Sequence, residues 1–151
     1  VLLKDYSEQG FLFFSNYNSR KGKELAENPR AALLFYWDKL ERQVRIEGAV
    51  KKAASAVSDK YFESRPRQSR FGAIASPQSK VINSRSILEK KVAELELKFS
   101  GNTPIPRPEN WGGYLLNPAY FEFWQGRASR LHDRIAYTFS KGKWKMSRLA
   151  P

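Results

Sequence analysis

With 151 residues, 41% of them hydrophobic and 14% aromatic, the chain is long enough to bury one core and reads as a single domain over 1–151. Cysteine is absent, which excludes disulfides, thiol nucleophiles and thiolate-held metal, and one histidine excludes a three-histidine metal centre, so no metal is expected. The formal net charge of +12 invites a nucleic-acid reading, but the cations are interleaved with Asp and Glu and no run is long enough to span a membrane, so neither partner is expected.

The chain opens on Val1-Leu2-Leu3-Lys4, an apolar run without methionine, which reads as a strand entered partway with sequence expected upstream. A turn over Ser7–Gly10 leads into an aromatic strand, Phe11–Asn16. Ser19 then caps a short helix, Arg20–Asn28, which stops before Pro29. Ala31–Trp37 is continuously apolar and is expected as a buried strand. Gln43–Val50 alternates, with Gln43, Arg45 and Glu47 on its polar face.

Helices are expected at Ser55–Ser64 and Ser84–Phe99, the second with Leu88, Val92, Leu95 and Phe99 on one face and a capping box from Ser86 and Glu89. Between them, Arg65–Gly72 and Ser76–Ser79 read as donor-rich turns, and Gly101–Pro108, with three prolines, as an extended connector. Strands follow at Gly113–Leu116, Ala119–Trp124 and Ser129–Phe139, and a hairpin over Ser140–Lys143 leads into Trp144–Leu149. Strands at both ends with helices between fit a mainly β fold, a small barrel decorated by helices.

Several groupings carry chemistry. Arg20 and Lys21 follow the capping Ser19 at a helix start, where backbone N–H groups and the helix dipole already favour an anion. Tyr61, Arg65 and Ser69 recur at spacings of four, placing a phenol, a guanidinium and a hydroxyl together as a second phosphate cradle, although Pro66 ends the helix at Arg65. Gln43, Gln78, Ser79 and Trp124 offer amides, a hydroxyl and an indole suited to a heteroaromatic ring. In a strand, Arg130, His132 and Arg134 would share one face. Cations about 7 Å apart there repel by roughly 2 kcal/mol at an effective dielectric near 20, so an anionic or electron-rich ligand is expected beside them. No nucleophile elbow and no dinucleotide fingerprint is present.

These segments resemble the pyridoxine/pyridoxamine 5'-phosphate oxidase family along the whole chain. The marks are VLLK (1–4), SRKGKEL (19–25), ERQVRIEG (41–48), YFESRPRQS (61–69), QS (78–79), WGGY (111–114), FWQG (123–126), RLHDR (130–134) and RLAP (148–151). The resemblance implies a cytoplasmic FMN-binding split β-barrel homodimer with FMN at the subunit interface. It also implies oxidation of pyridoxine or pyridoxamine 5'-phosphate to pyridoxal 5'-phosphate by dioxygen. By position it assigns Val1, Leu2, Phe14, Ser15, Arg20, Lys21, Gln43, Gln78, Ser79, Trp124 and Arg134 to FMN, with Arg20 and Lys21 on its phosphate. Lys4, Tyr61, Arg65 and Ser69 fall to the substrate phosphate, Arg130 and His132 to catalysis at the substrate ring, and Leu131 to a backbone contact or packing beside it. An FMN-binding arginine and a segment closing over substrate are implied upstream of Val1. Two other readings are a non-catalytic flavin or pyridoxal phosphate module of the same fold, and a nucleic-acid-binding barrel stacking bases on Phe11, Phe13, Tyr36 and Trp37. Those four aromatics are expected instead to fill the core.

Overall fold

The computed structural model describes residues 1–151. The strands are β1 (Leu3–Ser7), β2 (Gly10–Asn16), β3 (Arg30–Trp37), β4 (Arg42–Lys52), β5 (Trp111–Gln125), β6 (Asp133–Ser140) and β7 (Lys143–Arg148). The helices are α1 (Arg20–Glu27), α2 (Ser55–Ser64), α3 (Arg67–Ala75) and α4 (Ser86–Lys98). Strand order is β1-β2-β5-β4-β3, with β6 pairing β5 and β7 pairing β6, so the path is open and ends at β1 and β3. The pairs β3–β4, β5–β6 and β6–β7 are antiparallel. The expected mainly β fold with helices is what forms, as a sheet that does not close.

Packing divides the chain into two compact units. The first comprises Val1–Asp5, Leu12–Asn28 and Lys52–Tyr114, the second Tyr6–Phe11, Pro29–Lys51 and Leu115–Pro151. In the first unit Phe62, Phe71, Ile105 and Trp111 form the core, with Phe14, Tyr61, Val92, Leu95 and Phe99 packed against it. The expected stripe Leu88, Val92, Leu95 and Phe99 is the half-buried face of α4. Its start differs from expectation: Arg85 takes the cap position in helical geometry without a side-chain cap, and Glu89 accepts from Arg85 Nε (2.8 Å) instead of closing a box with Ser86. The donor-rich turn after Pro66 is also corrected. It is helix α3, because Phe71, Ile74 and Ala75 recur at the spacing of one helical face and pack inward.

In the second unit, β4 alternates as expected, burying Ile46 and Val50 and leaving Gln43, Arg45 and Glu47 half-buried on the other face. Strand β3 does not: it alternates too, and Leu34 (60%), Tyr36 (59%) and Trp37 (46%) are exposed. Continuous apolarity there marks a strand whose outer face is unfilled within one chain, so Tyr36 and Trp37 are not core residues, whereas Phe13 is. The two strands expected over 113–124 are a single fifteen-residue strand, β5. It continues through Asn117-Pro118 because neighbouring glycines make room: a Cβ on Gly48 would run into the Asn117 carbonyl. The β6–β7 hairpin turns at Lys141-Gly142, both at positive φ (50° and 77°), the conformation a two-residue hairpin needs.

Candidate functional site

Three groupings of side chains emerge, two in the first unit and one in the second. The first lies where β2 meets α1. Ser19 caps α1, its Oγ accepting from the Gly22 N–H (3.2 Å) and donating to the Asn16 carbonyl (2.7 Å), and it is fully buried. That fixed start places Arg20 and Lys21 in the first turn. Lys21 Nζ donates to Ser15 Oγ and to Gln78 Oε1 (3.0 Å each), and Ser15 Oγ donates to Gln78 Oε1 (3.1 Å). The turn carrying Gln78 is closed by the Lys80 N–H on the Pro77 carbonyl (2.9 Å), with Ser79 at φ 69°. A non-glycine residue held at positive φ is a strained choice that a ligand-facing turn can explain. Arg20 is exposed, pairs with Glu24 (2.8 Å), and lines a cavity of about 340 Å³ with Asn18, Lys23, Gln78 and Ser79. A cation, a hydroxyl and an amide at a helix start fit an anionic group. Val1 and Leu2 are exposed ahead of β1.

The second grouping is built on a stack of aromatic rings. Phe14 lies parallel to Tyr61 (centroids 3.9 Å, 21°) and to Trp111 (5.4 Å, 14°), so it is a packing residue in its own unit. Lys4 Nζ lies 5.8 Å from the Tyr61 ring. Arg65 sits 4.9 Å over Trp111, and its Nη1 is buried with no hydrogen-bond partner. Burial pushes the basicity of Arg65 down, partly offset by Tyr61. Lys4, Tyr61 and Arg65 are thus brought together. Ser69, half-buried in the first turn of α3, makes no hydrogen bond to them.

The third grouping, in the second unit, is a cleft of about 330 Å³ lined by Gln43, Arg45, Glu122, Trp124, His132, Arg134 and Pro151. Trp124 and Arg134 are paired across β5 and β6. Glu122, 5% exposed, accepts from Arg134 Nε (2.7 Å), Arg45 Nη2 (3.1 Å) and the Tyr120 hydroxyl (3.1 Å). The hydrogen bond from Arg134 is the largest influence holding its carboxyl below the usual range. Arg134 Nη1 donates to the Ala150 carbonyl (2.9 Å) and the Leu149 N–H donates back to the Arg134 carbonyl (2.9 Å), which seats the C-terminal residues beside the cleft. The His132 ring lies 4.8 Å from that of Trp124. Its Nδ1 accepts the Arg127 N–H (3.1 Å), so in the neutral ring the proton is on Nε2, which can donate to a ligand.

The expected strand face of Arg130, His132 and Arg134 does not form. Residues 128–130 make a tight turn with Ser129 and Arg130 at positive φ (57° and 60°), and the strand begins only at Asp133. Strand alternation therefore does not apply, and Arg130 and Leu131 (70% exposed) stand outside the cleft that His132 and Arg134 share. Sequence reasoning did not single out Glu122 or Trp111, which the structure places beside expected site residues. Glu122 was legible as the residue two before Trp124 on one strand face. Trp111 was visible only as the first residue of WGGY.

An anion cradle and a cation over aromatic rings in the first unit, and an amide-and-indole cleft in the second, have the chemistry that anionic and heteroaromatic ligands need. The comparisons are more specific. The family model described as pyridoxamine 5'-phosphate oxidase matches residues 2–99, and that described as the pyridoxine 5'-phosphate oxidase C-terminal dimerisation region matches 111–151. The pyridoxine/pyridoxamine 5'-phosphate oxidase of Nostoc sp. (strain PCC 7120) is 57% identical over 152 residues, covering 100% of this chain and 71% of that one. The chain belongs to the pyridoxamine 5'-phosphate oxidase family. Among solved structures, PhzG from Burkholderia lata 383, in complex with tetrahydrophenazine-1-carboxylic acid, superposes with a TM-score of 0.90 at 32% identity, covering 99% of this chain and 72% of PhzG. A pyridoxamine 5'-phosphate oxidase-related, FMN binding protein from Nostoc punctiforme PCC 73102 shares the fold, with a TM-score of 0.75 at 16% identity over 99% of this chain and 78% of its own.

Proposed function

We propose that the protein is a cytoplasmic, homodimeric FMN-dependent oxidase of the split-barrel type that converts pyridoxine or pyridoxamine 5'-phosphate to pyridoxal 5'-phosphate, with dioxygen reduced to hydrogen peroxide. The observation that carries the substrate class is Arg65, a guanidinium with a buried, unpaired Nη1 beside Lys4 and Tyr61, which suits a phosphate dianion. The 57% identity, along the whole of this chain and 71% of the relative, to a named oxidase supports the reaction. Bound FMN supplies a two-electron acceptor for the hydride leaving substrate C4', and dioxygen takes those electrons on as peroxide. From the amine substrate an imine results, and water releases it as aldehyde and ammonia.

The chain's own residues bind and orient. Arg20 and Lys21, with Ser15, Gln78 and Ser79, hold the FMN phosphate end, while Gln43, Trp124 and Arg134 address its ring at the subunit interface, with Val1, Leu2 and Phe14 as further contacts. Lys4, Tyr61, Arg65 and Ser69 take the substrate phosphate. Arg130, which has no ion-pair partner in its own chain, and His132 through Nε2–H address the substrate ring, with Leu131 packing beside it.

The test is a purified protein assayed for flavin and for peroxide. A yellow protein that makes peroxide with the two phosphorylated vitamers is expected. A yellow protein without turnover would mean a flavin-binding module, and turnover of tetrahydrophenazine carboxylates alone would move the substrate towards that held by PhzG. Arg65→Ala should raise KM for the phosphorylated substrate by about 10- to 100-fold, the range of one or two lost charged hydrogen bonds, with FMN occupancy kept. An unchanged KM would remove Arg65 from the phosphate site.

A further inference from the structure

Resting on that reading of Arg65, we propose that Trp111 is the positioning residue of the phosphate site: its indole face sets the plane of the Arg65 guanidinium and so the preference for phosphorylated over unphosphorylated ligands. Pro66 holds Arg65 in extended backbone (φ −74°, ψ 146°) at the end of α2, out of helical geometry. Its guanidinium forms no ion pair and its buried Nη1 has no hydrogen-bond partner; beside the electrostatic influence of Tyr61, what lies against it is the Trp111 ring, 4.9 Å from the guanidinium carbon. Stacking occupies the face of a guanidinium and leaves its N–H edges in plane, which is the geometry bidentate phosphate recognition needs. A salt bridge would instead have spent those edges.

The platform is held by its backbone and by ring packing. Trp111 is 7% exposed, its backbone N–H donates to the Pro108 carbonyl (3.0 Å), and its backbone carbonyl accepts from Arg107 Nη1 (2.6 Å). Arg107 is in turn tied to Asp59 through Nε (2.6 Å) and to Ser55 through Nη2 (2.9 Å). Phe62 meets the indole edge-on at 5.3 Å, while Phe14 and Tyr61 lie nearly parallel to it. One fixed platform therefore orients Arg65 over one ring and presents Tyr61, near Lys4, as another.

The experiment compares Trp111→Phe, Trp111→Leu, Arg65→Ala and the double variant Trp111→Leu/Arg65→Ala as FMN-loaded protein. It measures kcat and KM for pyridoxamine 5'-phosphate and pyridoxamine, inhibition by inorganic phosphate, and FMN affinity by fluorescence. Trp111→Leu should raise KM for the phosphorylated substrate and the phosphate inhibition constant about tenfold, the range of a partly desolvated cation–π contact. Its kcat and FMN affinity should stay within about twofold, as changes outside the transition state and the flavin site would leave them. Trp111→Phe should fall between wild type and Trp111→Leu, and the Leu substitution should add nothing once Arg65 is gone, which marks coupling rather than general weakening. Additive effects, or a parallel loss of kcat and FMN affinity, would overturn the proposal in favour of simple core packing. If Trp111→Leu does not accumulate folded, the Phe variant decides: a KM rise of about threefold that vanishes in the Arg65→Ala background is expected, and no rise refutes the positioning role. An Arg65→Ala variant with wild-type KM would instead sink the reading of Arg65, a result separable from any outcome at Trp111.

Discussion

At the scale of single residues, the chemistry is set by charges whose partners are incomplete. Glu122 receives donors from two arginines and a tyrosine, and Arg134, held by it through Nε and by the Ala150 carbonyl through Nη1, lines the cleft. Glu122→Gln should therefore loosen the orientation of Arg134 and weaken FMN binding more than it weakens binding of phosphorylated substrate, which flavin fluorescence and KM can separate. Stability follows the same group. Because its folded carboxyl titrates below the ordinary value of 4.5, Glu122 contributes stability that is present above that pH and lost as pH falls through the folded value. Loss of a charged hydrogen-bonding group should cost roughly 1–3 kcal/mol near neutrality. The gap between wild type and Glu122→Gln in urea denaturation should thus narrow below about pH 4.5; a gap constant with pH would contradict the ionised role.

At the scale of elements, the start of α1 follows local rules while helix α3 and the unbroken run of β5 do not. Ser19 does what its position implies, and Ser19→Ala should cost about 1–2 kcal/mol because it removes both the cap of α1 and a buried hydroxyl's bond to Asn16. Helix α3 was hidden by Pro66 and Gly72, although Phe71, Ile74 and Ala75 carried the correct period. Strand β5 was hidden in the opposite way, since Asn117-Pro118 looks like a break. What permits it is the absence of a side chain at Gly48 against the Asn117 carbonyl. Gly48→Ala should accordingly destabilise the protein by about 1–3 kcal/mol, the usual cost of overpacking, read by thermal or urea unfolding. A neutral result would show that β4 and β5 can part at that point without loss.

At the scale of the whole molecule, exposed apolar side chains and the match to a dimerisation region argue for self-association. Leu34, Tyr36, Trp37, Leu40, Phe123, Phe139, Trp144 and Met146 are all more than 40% exposed, and four of them fall in the stretch matching a dimerisation region. Singly exposed apolar residues are ordinary, and it is the dimerisation-region match that gives this set a use as an interface. The 17.4 kDa chain should sediment as a dimer of about twice that mass, and Leu34→Asp with Phe123→Asp should shift it towards monomer with loss of bound flavin. Monomeric protein with full FMN affinity would reject the interface site. The no-nucleic-acid expectation is tested by the same preparation, since salt-sensitive oligonucleotide binding would give the exposed aromatics and the +12 charge another use.

Much of this was legible in the residues themselves. Capping determined the start of α1, and period determined α2, α4 and the alternation of β4, because these depend on neighbours within one or two turns or on adjacent positions of a strand. Motif order fixed the family, and spacing brought Tyr61 and Arg65 together. Only tertiary structure decided that Arg130 leaves the His132–Arg134 cleft, since a tight turn at positive φ interrupts the strand and alternation says nothing about where a strand starts. Only tertiary structure, again, showed β3 half-exposed and Arg65 lying on Trp111, forty-six positions away in the numbering, because such contacts are long-range and no local pattern encodes what lies across the packed face.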